Sequence, residues 1–384
     1  MPTSRLKNIV YRFVLPFSQT DSGTNPVSDV YGHSLTHPDV FRRLIRRHHV
    51  LGSSTLIETG SLSSVICTSS ICPPHAAQPD SFFRVASITK TATSLLTLRL
   101  ADCDILSLDA PVSHYLRSFY SGSSLDGITI RHLLSHTSGL VDPAGLESSL
   151  EKGVPFTDLL HDSRQFPAGS SFHYSNLGYG LIGCILEALL DRPVSDIFND
   201  FLFSPLHMNA TLEGCILPRD KIVPVVRVLP YRERNEMILT PLGSKQLTEA
   251  DPLRHYGHTA GSMYTDIASL QTMFHVLIYG ENGFLSGNIL SEMKKEHAVY
   301  GKLSPTLSYG LGLLIVKDPS VSNSRILGHQ GFAYGCVDGA FWEESTGRLL
   351  ITLNGGCSEA RSGRLGLSNR DFMRWAFRKE LPSW

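Results

Sequence analysis

Phe83-Arg84-Val85-Ala86-Ser87-Ile88-Thr89-Lys90 runs without a break into Thr91-Ala92-Thr93-Ser94-Leu95-Leu96-Thr97-Leu98-Arg99-Leu100. The second stretch reads as a buried helix, with Ser87 and Lys90 three residues apart at its start. Residues so spaced lie on one helix face, one turn from each other. A lysine placed there is in position to take the serine's hydroxyl proton. The helix N-terminus, with unpaired N–H groups and the positive dipole end, also favours negative charge developing on the serine oxygen. Taken alone, Ser-x-x-Lys more often means a helix-capping serine and a solvated lysine. The rest of the chain decides between the two.

The 384 residues are 42% apolar and 18% charged. That is enough for one large domain or two moderate ones, and too apolar for disorder. With 34 basic and 35 acidic side chains the net charge is −1, which gives no footprint for nucleic acid. The basic run Arg42, Arg43, Arg46 and Arg47 reads as a solvated helix face. No apolar run approaches the roughly 18 residues of a membrane-spanning helix. Near the N-terminus, Arg12 and Pro16 interrupt the apolar stretch, so no signal peptide is read there. An acid-free start with Arg5, Lys7 and Arg12 also suits an organellar address, but the cytoplasm is the expected compartment. Cys67, Cys72, Cys103, Cys184, Cys215, Cys336 and Cys357 are dispersed with no Cys-x-x-Cys pair. That pattern predicts buried reduced thiols, not a disulfide framework or a zinc site.

Along the chain, residues 1 to about 35 read as an irregular extension. A helix is expected from about Pro38 to His48, with Val40, Leu44 and Ile45 as its apolar stripe. Two strands joined by a tight turn follow, Thr55 to Glu58 and Ser63 to Cys67. From Asp104 to about Ala250 the pattern is helical and loop-rich. Thr129 precedes a short helix that ends near Ser138-Gly139. Asn176 to Leu190 is a strongly apolar helix whose glycines, Gly178, Gly180 and Gly183, imply close packing against a neighbour. Pro218 to Leu253 lacks periodicity and reads as irregular. Strand signals return at Tyr309 to Val316, then as a hairpin of Val337 to Trp342 with Leu349 to Leu353. An amphipathic helix around Asn369 to Glu380 closes the chain, with Phe372, Met373, Ala376 and Phe377 on its apolar face. Strands at both ends and helices between them predict one sheet built from distant segments. Residues 36–104 and 254–384 would form the sheet region and residues 105–253 a mainly helical region.

Three further stretches give Ser87 its context. Arg131-His132-Leu133-Leu134-Ser135-His136-Thr137-Ser138-Gly139-Leu140 ends the short helix. Phe172-His173-Tyr174-Ser175-Asn176 lies just before the apolar helix, and Gly328-His329-Gln330-Gly331 precedes the C-terminal hairpin. In this order and spacing the set resembles the serine β-lactamase and penicillin-binding-protein superfamily, above all its class C-like branch with the D-peptidases and β-lactamase-like esterases. The resemblance runs from about Phe41 to the C-terminal helix. It implies an α+β fold: an antiparallel sheet flanked by helices, an inserted mostly helical domain, and the site between them. By position, Ser87 resembles the acylated nucleophile. Lys90 would take its proton or hold the base in place, and Tyr174 would serve as partner base and then as acid at the leaving group. Asn176 would hydrogen-bond the substrate near Lys90. His329 and Gly331 stand at the third motif, and the backbone N–H groups of Ser87 and Phe332 would form the oxyanion hole.

These assignments agree with the chemistry. A serine hydroxyl is a poor nucleophile until a neighbour removes its proton, an effect worth roughly 10²–10⁴-fold. A lysine acts as a base only when burial or nearby positive charge lowers its pKa, and a positive charge beside Tyr174 would favour a tyrosinate. Two aimed N–H donors contribute roughly 10²–10³-fold each at an oxyanion. The chain departs from the resemblance at the third motif. His329-Gln330-Gly331 replaces Lys-Thr-Gly, and a neutral imidazole holds a carboxylate less firmly than an ammonium. Weak or no β-lactam hydrolysis is therefore expected.

Other candidates carry less. His136 reads as structural, ending a helix under the site, and His255 with His258 reads as a loop pair without further metal ligands. Tyr334 and Trp342 suit either a pocket wall or the sheet core, and Cys336 a small buried residue. No Gly-x-Ser-x-Gly elbow occurs, which argues against an α/β-hydrolase. The expectation is a serine hydrolase without metal or cofactor, acting through an acyl-enzyme on small esters or amides, with no nucleic-acid partner. Acyl transfer through the same intermediate, and a non-catalytic scaffold or sensor, are the rival readings.

Overall fold

The computed structural model describes residues 9–10, 13–15, 27–32, 38–70, 75–229, 231–233, 246–301 and 304–378. Its centre is a ten-stranded sheet. The strands are β1 (Val27–Gly32), β2 (Leu51–Thr59), β3 (Leu62–Ser70), β4 (His75–Ala76), β5 (Ala298–Val299), β6 (Leu307–Tyr309), β7 (Leu314–Val316), β8 (Ile326–Ala333), β9 (Cys336–Glu343) and β10 (Leu349–Gly356). Their spatial order is β1-β3-β2-β10-β9-β8-β7-β6-β5, with β4 beside β3. Every pairing is antiparallel. The hairpin β2–β3 from the start of the chain joins the C-terminal strands through β10, with Ile57 opposite Leu350. The sheet is thus assembled from both ends of the sequence, as the strand pattern predicts.

Five helices matter for the site: α1 (Pro38–Arg47), α2 (Thr89–Asp102), α3 (Asn176–Leu190), α4 (Ile267–Tyr279) and α5 (Leu367–Phe377). α1 and α5 cover one face of the sheet through a cluster that includes Phe41, Leu44, Phe372, Met373 and Trp375. The rings of Phe41 and Trp375 lie 5.2 Å apart. α2 and α4 cover the other face, where Phe274 meets Trp342 at 5.8 Å. Covered on both faces, β9 and β10 are buried at every position, so the alternation that marks a half-exposed strand is absent from them.

α3 lies in the region between the two sheet-forming parts of the chain. A Cβ on Gly180 would stand 1.6 Å from the Tyr256 carbonyl oxygen. The predicted close packing of this helix is therefore real and depends on the missing side chain.

Three expectations need correction. Val27–Gly32, read as irregular, forms the edge strand β1; most of the rest of residues 1–35 lies outside the described residues. Tyr309 to Val316 is two strands, not one, since the Gly310 N–H bonds the Leu313 carbonyl at 2.8 Å and turns the chain. Thr91 on α2 fixes that turn by donating to the Gly312 carbonyl at 2.9 Å. Within Pro218 to Leu253, Val226–Val228 pairs with Tyr231–Glu233, and residues 230 and 234–245 lie outside the described residues.

Candidate active site

Ser87 lies in a single 3-10 turn, Ala86–Ile88, between the short strand Phe83–Arg84 and α2. Ala86 has φ +45°, a left-handed conformation that costs a residue with a Cβ roughly 1–2 kcal/mol. The turn is held on several sides. Val85 donates to the Met263 carbonyl at 3.0 Å and Ile88 to the Val85 carbonyl at 3.1 Å. The Thr89 hydroxyl donates to the Ala86 carbonyl at 2.6 Å and accepts from the Met263 N–H at 3.1 Å. Strain at the residue before the serine is thus carried by tertiary contacts.

Lys90 is fully buried. Its Nζ lies 2.8 Å from Asn176 Oδ1, 2.6 Å from the Ala260 carbonyl and 3.2 Å from Ser87 Oγ. Burial lowers its pKa to about 7, against a smaller opposing pull from the Asp142 carboxylate. The Asn176 and Ala260 oxygens only accept. In the neutral amine these two partners use both N–H groups and leave the lone pair directed at the Ser87 hydroxyl.

Tyr174 lies 5.0 Å, by its ring centroid, from Lys90 Nζ. Burial raises the pKa of its phenol, and an interaction with the Ser87 hydroxyl only partly offsets this. The expected tyrosinate is thus disfavoured in the resting site, because desolvation outweighs the Ser87 interaction and the Arg361 charge. His136 lies against Tyr174 with ring centroids 4.3 Å apart and the planes tilted by 35°. Its Nδ1 accepts the Ser175 N–H at 3.1 Å, and burial holds its pKa well below the usual value. That is a structural place, under the Tyr174 segment.

Asn176 opens α3, whose N-cap Ser175 accepts the Gly178 N–H at 2.9 Å. Asp142, which the sequence reading missed, organises this corner. Its Oδ2 accepts Asn176 Nδ2 at 2.8 Å, and its Oδ1 accepts the Ser175 hydroxyl at 2.9 Å and the Leu177 N–H at 3.0 Å. The carboxylate fixes which end of the Asn176 amide faces Lys90. Asp142 sits in a loop 33 to 35 residues before these partners, so nothing local in the sequence marks it.

The third stretch lies on β8. Its neighbour β7 pairs with it only as far as Gly328, and beyond that point β8 runs past the Ser87 turn. A Cβ on Gly331 would stand 2.4 Å from the Val85 carbonyl oxygen and 3.3 Å from Ala86 Cβ. Glycine here lets the strand approach the Ser87 turn. His329 does not reach the cleft. It is 3% exposed, with Nε2 2.8 Å from the Tyr309 hydroxyl and Nδ1 2.8 Å from the Gln330 carbonyl. The carbonyl accepts only, so Nδ1 carries the proton and Nε2 accepts from Tyr309. Burial lowers the His329 pKa to about 3, so the ring is neutral. Gln330 is held by the Arg364 carbonyl at 2.7 Å and the Gly366 N–H at 3.0 Å.

A cleft of about 430 Å³ opens in front of Ser87, lined also by Asn176, Ala260, Phe332, Tyr334, Arg84 and Arg361. Tyr334 is therefore a wall of the cleft, whereas Trp342 belongs to the core. Among the described residues no cluster of three or more His, Cys, Asp or Glu could hold a metal. His258 opens a short helix, His258–Gly261, in place of the expected loop, and His255 pairs with buried Glu187 at 2.8 Å. No helix among the described residues is long and apolar enough to cross a membrane.

Known proteins are similar to this chain in sequence and fold. Esterase EstB of Burkholderia gladioli is 25% identical over 367 residues, which cover 86% of this chain and 93% of the esterase. The structure of EstCE1, described as a hydrolase with promiscuous acyltransferase activity, superposes with a TM-score of 0.69 at 22% identity, over 88% of this chain and 97% of that one. A D-stereospecific amidohydrolase from Streptomyces sp. gives 0.66 at 23% identity, over 88% and 98%. Both structural likenesses show the β-lactamase/transpeptidase-like fold. The sequence pattern of the beta-lactamase family matches residues 69–342, and the chain belongs to that family.

Proposed function

We propose that the protein is a serine hydrolase that forms an acyl-enzyme on Ser87 from small esters or amides. The observation that carries the reading is Lys90. It is buried, its pKa lies near 7, and its third position is directed at Ser87 Oγ. In this reading neutral Lys90 takes the serine proton as Oγ attacks the carbonyl carbon. Tyr174, kept protonated by burial, then hands a proton to the leaving group and recovers one through Lys90. The N–H groups of Ser87 and Phe332 receive the oxyanion, and Asn176 orients the substrate. Esterase EstB, similar over most of the chain, supports an ester substrate. Neutral His329, withdrawn behind Tyr309, supports weak β-lactam turnover. Acyl transfer to an alcohol or amine is the second reading; it shares the intermediate and has EstCE1 as a structural neighbour.

The test is intact mass after brief mixing with a p-nitrophenyl ester, beside Ser87→Ala. An acyl-sized gain that the variant lacks is expected. A folded protein with no gain and no p-nitrophenol release refutes the hydrolase reading and favours a non-catalytic scaffold. Adding an acceptor alcohol and analysing products separates hydrolysis from transfer.

A further inference from the structure

His136 grips the backbone on both sides of Tyr174. Its carbonyl accepts the His173 N–H at 2.8 Å, and its ring Nδ1 accepts the Ser175 N–H at 3.1 Å. Ser175 has extended backbone angles, and in an extended segment the amides of residues two apart point to the same edge. A neighbouring strand pairs such an edge with backbone carbonyls alone. Here a single residue supplies both acceptors, one from its backbone and one from its side chain. His136 is itself tied to the end of the helix Ile130–Leu134, donating its N–H to the Leu133 carbonyl at 3.2 Å.

Two unfavourable features accompany this grip. A backbone N–H only donates, so Nδ1 presents its lone pair to Ser175 and Nε2 carries the proton. That Nε2 is buried with no hydrogen-bond partner among the described residues, and buried polar atoms left unpaired are rare. His136 also has φ +57°, a left-handed conformation uncommon outside glycine and asparagine. The ring is 1% exposed and enclosed by Tyr174, Tyr179 and Tyr309, with centroids at 4.3, 4.9 and 4.9 Å. Burial, and after it the nearby Lys90 charge, keeps it neutral. Strain tolerated at a residue beside a reactive group points to what that residue holds.

We propose that His136 is a positioning residue for Tyr174: its Nδ1 lone pair and its carbonyl hold the amides on either side of the tyrosine and so place the phenol against Ser87 and Lys90. This rests on the hydrolase reading, in which Tyr174 carries the proton to the leaving group, and adds the group that fixes the carrier. His136 itself takes no proton, because an imidazolium would set a second N–H against that of Ser175.

The experiment compares His136→Gly with His136→Asn. Both residues tolerate the left-handed backbone and both remove the ring, but only asparagine puts an acceptor oxygen where Nδ1 stands. Steady-state hydrolysis of a p-nitrophenyl ester gives kcat and KM, and hydrogen exchange reads the Ser175 amide. His136→Gly is expected to lower kcat by about 100-fold with KM within about threefold, and to speed Ser175 exchange by about tenfold. His136→Asn should restore kcat to within about fivefold of the unmodified protein and return the amide to slow exchange. A glycine variant that melts earlier but keeps kcat overturns the proposal, as does equal loss in the two variants. Ser175 exchange as slow in His136→Gly as in the unmodified protein overturns it too. Because the glycine variant can fail to fold, His136→Asn carries the test by itself: a folded variant with kcat down about 100-fold refutes the role of the acceptor. Absence of an acyl-mass gain in the unmodified protein instead refutes the hydrolase reading. The Ser175 exchange needs no turnover, so it still decides whether His136 holds the Tyr174 segment.

Discussion

Replacing Asp142 with asparagine tests the wiring of the site most directly. The carboxylate reaches Lys90 through one amide, Asp142 to Asn176 Nδ2 at 2.8 Å and Asn176 Oδ1 to Lys90 Nζ at 2.8 Å. The two charges are therefore about 8 Å apart, and at an effective dielectric near 20 they interact by about 2 kcal/mol, or about 1.5 pH units. Asp142 favours the protonated lysine, so its loss should lower the Lys90 pKa from about 7. In the hydrolase reading the acid limb of kcat/KM moves down by about one to one and a half pH units. The plateau should also fall, because the Asn176 amide loses the acceptor that fixes its orientation. Losing one charge-assisted bond is worth about 1.5–3 kcal/mol, or about 10–100-fold. The assay is ester hydrolysis from pH 5 to 9 beside thermal melting. An acid limb that stays in place or moves upward, with only the melting temperature reduced, would show that Asp142 is just a cap for α3 and refute the coupling.

Further outcomes follow from particular contacts. Gly331→Ala puts a methyl 2.4 Å from the Val85 carbonyl oxygen. It should lower kcat/KM by about 100-fold by shifting β8 from the serine turn, and an unchanged rate would dissociate that strand from the chemistry. Gly180→Ala places its Cβ 1.6 Å from the Tyr256 carbonyl oxygen, so α3 or its neighbour must move. Urea unfolding should show a loss of about 1–3 kcal/mol. Lys90 gives a signed pH dependence. Its pKa falls from 10.5 in the unfolded chain to about 7 in the native one, so between those values the unfolded chain binds more protons and stability rises with pH. From pH 7 to 9 the unmodified protein should gain about 2 kcal/mol relative to Lys90→Met; parallel stability curves would contradict the depressed pKa.

The parts of this molecule legible in the sequence are those whose cause is local. The Ser87–Lys90 spacing is fixed by helix geometry, and the structure places the two side chains 3.2 Å apart. The apolar stripes of α1 and α5 announced their burial, with Ala376 packed against the same cluster, although the stripe left out Trp375, which packs on Phe41. Tyr309 to Val316 misled because a continuous apolar run hides the turn at residues 310–313, which is set by contacts with α2. Asp142 was invisible because its partners come more than thirty residues later. The neutrality of His329 was expected from its chemistry, but its withdrawal from the cleft depends on Tyr309, twenty residues earlier.

The pairing of Ile57 with Leu350 also has a consequence in time. At the usual 5–20 residues per second, the second strand follows the first out of a ribosome by roughly 15–60 s. Until then the hairpin β2–β3 has an unpaired edge where β10 will dock, the kind of surface that recruits other chains. The Ser87 turn is equally unfinished, since Met263 and the strand around Gly331 have yet to arrive. Synthesis therefore passes through a long interval in which the hairpin edge is open and the Ser87 turn is incomplete. Such late, long-range closure is slow, and in the hydrolase reading it makes chemical competence a signal that the last strand has found its place.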